Sequence, residues 1–99
     1  MVIEWLHYRV PLAQQPAFLQ ADAAVWTAAL SPRPGYLGKQ VWRDSADPDS
    51  LSLIIRWHSR AEWKAVPADL LEDTERRFRE AFAGEAEFLG CTDLDVVID

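Results

Sequence analysis

The sequence predicts an α+β fold whose strands and helices follow the order β-α-β-β-α-β. Three observations carry this: a period-two stretch over residues 51–57, two helical stretches bounded by breakers, and strand-like runs near both ends. The chain has 99 residues, 49% of them hydrophobic and 26% charged, which is the size of one domain (1–99) and too apolar for disorder.

Each element has a local reason. Residues 2–10 mix β-branched and aromatic residues with spaced polar ones, and Pro11 ends the run, which reads as a strand. Residues 14–30 are rich in alanine and leucine and place Phe18, Ala21, Val25 and Ala29 at helical spacing. The Ser31-Pro32-Arg33-Pro34-Gly35 segment stops that helix, because the residue before a proline avoids helical geometry. Residues 36–43 form a second strand, and the polar segment 44–50 turns the chain back. In residues 51–57, Leu51, Leu53, Ile55 and Trp57 share one face while Ser52, Ile54 and Arg56 share the other.

Ser59-Arg60-Ala61-Glu62 has the S-x-x-E form of a capping box, so a short helix carrying Trp63 begins there. Pro67 restarts the chain into a longer helix over 67–83, with Leu70, Leu71, Thr74, Phe78, Ala81 and Phe82 as its apolar stripe. Glu72–Arg76, Asp73–Arg77 and Glu75–Arg79 are acid-first pairs four residues apart, and Gly84 is the expected residue just past the helix end. Leu94, Val96 and Ile98 alternate in a final strand.

This order is the ferredoxin-like split unit, an antiparallel sheet with both helices on one face. Ile54, Val97 and the aromatic residues of the first strand put apolar surface on the other face too, so a homodimer joined through bare sheet faces is expected.

Composition removes several function classes. Ten Lys and Arg against sixteen Asp and Glu leave a net charge of −6, which disfavours nucleic acid and anionic membrane as partners. A single cysteine cannot close an intrachain disulfide, no apolar run spans a bilayer, and Met1-Val2-Ile3-Glu4 lacks signal-peptide order, so a cytoplasmic protein is expected. Zinc, hydrolase and nucleotide-binding signatures are missing. His7 and His58 have no acidic neighbour at ligand spacing, and Asp44, Asp47 and Asp49 lack the glycine and closing glutamate of a calcium loop. Neither group is therefore read as a metal site, and no cofactor is expected.

Five tryptophans in so short a chain need a large aromatic core or a cavity wall. Trp57 and Trp63 bracket the turn from the third strand into the short helix, at the seam between sheet and helices where a pocket of this fold would open. They are the candidate ligand-contacting residues.

Pro34-Gly35-Tyr36-Leu37 after the first helix, followed by Arg56-Trp57-His58-Ser59-Arg60-Ala61-Glu62-Trp63, resembles the pattern of the antibiotic biosynthesis monooxygenase superfamily of dimeric α+β barrels. The resemblance runs from Val2 to Ile98 and is nearest to a small bacterial branch without an assigned activity. It implies that Trp57 and Trp63 touch substrate as their counterparts do in quinone-forming members, and that Arg77 falls near an arginine those members use. Arg77 or Tyr36 would then polarise a phenolate or enolate oxygen of a small aromatic ligand. An asparagine that some members carry four residues before the strand tryptophan is Leu53 here. Residues 67–83 hold no histidine, so the iron ligand of the haem-degrading members has no counterpart. Two functions follow from the resemblance: a cofactor-independent monooxygenase acting on a phenolic substrate, or a non-catalytic ligand-binding or accessory protein that kept the pocket.

Overall fold

The computed structural model describes residues 1–99. Strand β1 (Val2–Arg9) leads through a 3-10 turn (Leu12–Gln14) into helix α1 (Gln15–Asp22), which continues through a π turn (Ala23–Thr27) into the short α2 (Ala28–Leu30). A hairpin of β2 (Tyr36–Arg43) and β3 (Ser50–Trp57) follows, then helices α3 (Arg60–Lys64) and α4 (Ala68–Ala81) and strand β4 (Glu87–Asp95). The strands make one antiparallel sheet in the order β2-β3-β1-β4, the ferredoxin-like arrangement.

The inner sheet face builds the core. Leu51, Leu53, Ile55 and Trp57 of β3 are all buried, in line with the alternation of that strand. Phe18, Ala21 and Val25 from the first helical stretch and Phe78 from α4 pack with Val10, Leu51 and Leu53. Leu30, Val66, Val2, Ile55 and Trp57 form a second cluster at the other end of the sheet. Of the expected α4 stripe, Thr74 and Phe78 are buried, whereas Leu71 stays 38% exposed.

The chain is locked at its turns by polar side chains that face inward. Gln15 is fully buried and fully satisfied: its amide donates to the carbonyls of Val10 (3.0 Å) and Pro48 (2.6 Å), and its oxygen accepts from Arg43 (2.9 Å). The acidic hairpin is an ion-paired turn. Arg9 meets Asp47 at 2.9 Å, Asp49 accepts from the Leu12 amide at 2.9 Å, and Asp44 caps the Ala46 amide at 2.8 Å.

Gly35 ends the breaker segment with φ +85°, and a Cβ there would lie 2.6 Å from the Glu62 Cβ. Both the backbone and the close approach require glycine. Gly35→Ala is expected to destabilise the fold by at least about 1–2 kcal/mol, read as a lower urea midpoint with unchanged slope.

Four local expectations are corrected. The first helix is interrupted by a π turn, which its sequence does not announce. The capping box is half formed: Ser59 Oγ accepts from the Glu62 amide (3.1 Å), but the Glu62 carboxylate takes the Ser59 hydroxyl (2.9 Å) and the His58 ring (2.7 Å). Gly84 is not a left-handed helix cap; a side chain there would run into Gln14 and the Phe82 ring. Arg76 pairs with Asp73 (2.5 Å) and Glu80 (3.0 Å) instead of Glu72, while Asp73–Arg77 and Glu75–Arg79 form at 3.1 and 3.2 Å.

The last strand also starts earlier than its alternation suggests. β4 covers Glu87–Asp95 because Asp95 pairs with Val2, the first residue of β1. Beyond it the Val96 amide reaches the Met1 carbonyl (3.0 Å) and Asp99 pairs with Arg56 (2.9 Å), while Val97 and Ile98 between them are 89% and 90% exposed.

The outer sheet face has no helix over it. Ile3, Trp5 and His7 of β1, Ile54 of β3, Trp42 of β2 and Leu94 of β4 share that side by register. Trp42 is 54% exposed. Trp5 stacks on the His7 ring at 4.1 Å, His7 Nε2 lies 2.8 Å from the Thr92 hydroxyl, and the Trp5 indole N–H is buried with no acceptor.

Candidate functional site

A cavity of about 580 Å³ opens between the inner sheet face and the helices, a volume suited to a small organic molecule. Its floor is made by Glu4, Leu6 and Tyr8 of β1, Ile55 and Trp57 of β3, and Lys39 of β2. Trp26 and Leu30 come from the first helical stretch, Trp63 and Lys64 from α3, and Leu71, Glu75 and Arg79 from α4. The walls are therefore mostly aromatic and aliphatic, and of the charged groups Glu75 and Arg79 pair with each other at 3.2 Å.

Local structure explains each placement. Trp57 is the last inward residue of β3, fully buried, with Tyr36 against its edge at 5.7 Å between centroids. The Ser59 cap fixes the start of α3, so Trp63 turns back over the sheet end, and the Lys64 ammonium sits 3.9 Å above its ring. The π turn carries Trp26 into the cavity wall and brings Asp22 and Thr27, five residues apart, to one side of the helix. Both meet Lys39: its Nζ lies 2.5 Å from Asp22 Oδ2 and 3.3 Å from Thr27 Oγ1.

The most chemically loaded group is Glu4. Its carboxylate accepts a hydrogen bond from the Trp57 indole N–H at 3.1 Å. Burial pushes the Glu4 carboxyl above the ordinary glutamate range, and the indole hydrogen bond and the Lys64 and Lys39 charges offset only part of that. Tyr8 is pushed up to about 12, first by burial and then by the carboxylates of Glu75, Asp22 and Glu4. Its phenol is thus a neutral hydroxyl at physiological pH.

Trp57 and Trp63, singled out from sequence, line the same cavity. Tyr36 stands behind Trp57 and does not line it. Arg77 is also outside: its guanidinium pairs with Asp73 at 3.1 Å and reaches the Thr74 hydroxyl at 3.5 Å, while Arg79 is the α4 arginine on the cavity. Sequence reasoning missed Glu4, Tyr8 and Lys39. Glu4 had a signal: it is the one acid in Val2-Ile3-Glu4-Trp5-Leu6, in phase with the inward residues Val2 and Leu6.

The donor set does not suit haem. The cavity lining offers no histidine, cysteine or methionine; His7 lies on the outer sheet face and His58, exposed, pairs with Glu62 at 2.7 Å. Nowhere do three His, Cys, Asp or Glu side chains converge as metal ligands.

The fold and this cavity define a protein of the antibiotic biosynthesis monooxygenase family, and the chain belongs to it: the family pattern matches residues 1–68, from β1 to the start of α4. The fold is similar to that of SnoaB, a cofactor-independent oxygenase from Streptomyces nogalater, at 14% identity and TM-score 0.70 over 99% of this chain and 94% of that one. It is also similar to MhuD, a haem-degrader from Mycobacterium tuberculosis, at 19% identity and TM-score 0.66 over 100% and 98% of the two chains. A conserved protein from Methanosarcina mazei Go1 shares the fold at 14% identity and TM-score 0.61 over 94% and 90%. No curated protein matches the sequence. Identities this low carry the fold only, and no helix is long and apolar enough to cross a membrane.

Proposed function

We propose that this protein binds a phenolic or related weakly acidic aromatic molecule in the cavity and oxygenates it without a cofactor. The observation that carries the reading is the Glu4 carboxyl, held in an aromatic cavity against the Trp57 indole with its proton affinity raised by burial. A carboxylate whose proton affinity is raised by burial is a stronger general base than an ordinary one. Trp57 and Trp63 would stack on the ring, and the apolar walls would keep water from a reactive carbanion.

The chemistry balances with dioxygen alone. Glu4 takes a proton from an activated CH₂ of the substrate, which a phenol presents in its keto tautomer, and the resulting carbanion passes one electron to dioxygen. The radical pair closes a carbon–oxygen bond, and Glu4 returns its proton to the distal peroxide oxygen. Loss of the second C–H proton with cleavage of the O–O bond leaves a carbonyl and water. The net change is R₂CH₂ + O₂ → R₂C=O + H₂O.

The test uses chelator-treated protein, an oxygen electrode and fused-ring phenols and ketones such as 1-naphthol and anthrone. Oxygen uptake matched to product, without peroxide release, is expected for at least one. Quenching of tryptophan fluorescence with no oxygen uptake for any compound would instead favour the non-catalytic binding protein, with which the apolar, buried Leu53 is compatible.

The uncovered outer face supports a homodimer, since a second copy would cover Trp42 and Leu94 and could supply an acceptor for the Trp5 indole. Light scattering at micromolar concentration is expected to give twice the 11.3 kDa of one chain; the single-chain mass would contradict it. The lone thiol, which needs no oxidising compartment, supports a cytoplasmic setting.

A further inference from the structure

We propose that Lys39 is an anion-binding residue of the cavity, taking a phenolate, enolate or carboxylate oxygen of the ligand at the opposite end from Glu4. This rests on the cavity being the ligand site and adds the group that fixes the ligand's orientation. Lys39 of β2 and Glu4 of β1 both lie beside Ile55 of β3 in one cross-strand row. They are therefore two strand spacings apart, about 9–10 Å at the backbone, on the same floor. A planar ring lying over Ile55 would present one edge to each.

The ammonium is built for this. Its side chain is only 8% exposed, on a cavity whose lining is mostly hydrophobic and includes its cross-strand neighbour Ile55. The Asp22 carboxylate, 6% exposed, compensates that burial, and Thr27 takes a second N–H. An ammonium has three donors, and no protein group takes the third. A buried pair whose only task was stability would be bettered by apolar residues of similar volume; this one instead holds a charged donor at the surface of a cavity. The π turn is part of the device, since it alone puts Asp22 and Thr27 on one side of the helix.

The experiment compares 4-nitrophenol and 4-nitrobenzoate with nitrobenzene, which is similar in shape but uncharged. Binding is read by tryptophan quenching, and ionisation of bound nitrophenol by its visible absorbance. The wild-type protein is expected to favour both anions and to bind nitrophenol as the phenolate. Lys39→Met should weaken both anions about tenfold or more and leave nitrobenzene unchanged. If Lys39→Met does not fold because Asp22 is left unpaired, the Asp22→Asn/Lys39→Met double variant removes both charges and should show the same loss. Equal losses for anions and nitrobenzene, or no loss for either, would overturn the role of Lys39 while leaving the cavity as the ligand site. Failure of all three probes to bind the wild-type protein would overturn both.

Discussion

Glu4→Gln is expected to lower turnover of an oxygenated substrate by about 10²–10⁴-fold and at the same time to raise stability at neutral pH. The two effects have one cause. Burial raises the Glu4 carboxyl above its unfolded value, with the Trp57 hydrogen bond only partly opposing it. Between the unfolded and the raised folded values the native state binds more protons than the unfolded state, so stability falls as pH rises through that interval. The loss is complete above the folded value and absent below the unfolded one. Glutamine carries no charge to desolvate, and its carbonyl can still accept from the Trp57 indole. Thermal melts of the two proteins should therefore converge near pH 4 and separate in favour of the variant above the folded value. A gain in stability together with a loss of activity is the mark of a group placed for chemistry at the expense of the fold. Lower stability at every pH would mean that Glu4 is a structural partner of Trp57.

Trp57→Ala and Trp63→Ala are expected to part company. Trp57 is fully buried, touches the edge of Tyr36 and holds the Glu4 carboxylate, so truncation should destabilise by about 3–5 kcal/mol. Trp63 is only partly buried, borders the cavity and has the Lys64 ammonium on its face. Its truncation enlarges space that is already open, so a cost of about 1–2 kcal/mol is expected. Ligand affinity should fall more than stability. Urea titrations of both variants, with quenching by a bound aromatic, separate the two roles. A loss at Trp63 as large as that at Trp57 would make both indoles ordinary core.

The parts of this fold that were legible in sequence are those set by neighbours in the chain. The alternation of Leu51, Leu53, Ile55 and Trp57 follows from strand geometry alone, and the Ser59 cap and the Gly35 turn depend on a few adjacent residues. The placing of Trp57 and Trp63 on one cavity followed, because a strand end at Trp57 and a helix start at Arg60, three residues apart, have little freedom. What was not legible arises across the sheet. Glu4 and Lys39 become partners of one cavity only when β3 lies between their strands, and their spacing in sequence carries no sign of that row. The π turn is similar: Ala23–Thr27 has ordinary helix-forming residues, and its extra residue per turn is favoured by the tertiary contact of Asp22 and Thr27 with Lys39. The end of the chain was read in phase with Leu94, Val96 and Ile98, but the register with β1 and its bulge near Gly90 decides where β4 runs.

The central claim is that Glu4 is a desolvated base facing a ligand cavity. Carbon-13 NMR of the glutamate side-chain carboxyls, titrated with and without a bound aromatic and assigned by Glu4→Gln, tests it most directly. The Glu4 resonance is predicted to titrate above the other glutamates, and to move when the aromatic binds. A Glu4 carboxyl that titrates with the surface glutamates and ignores the ligand would contradict the account.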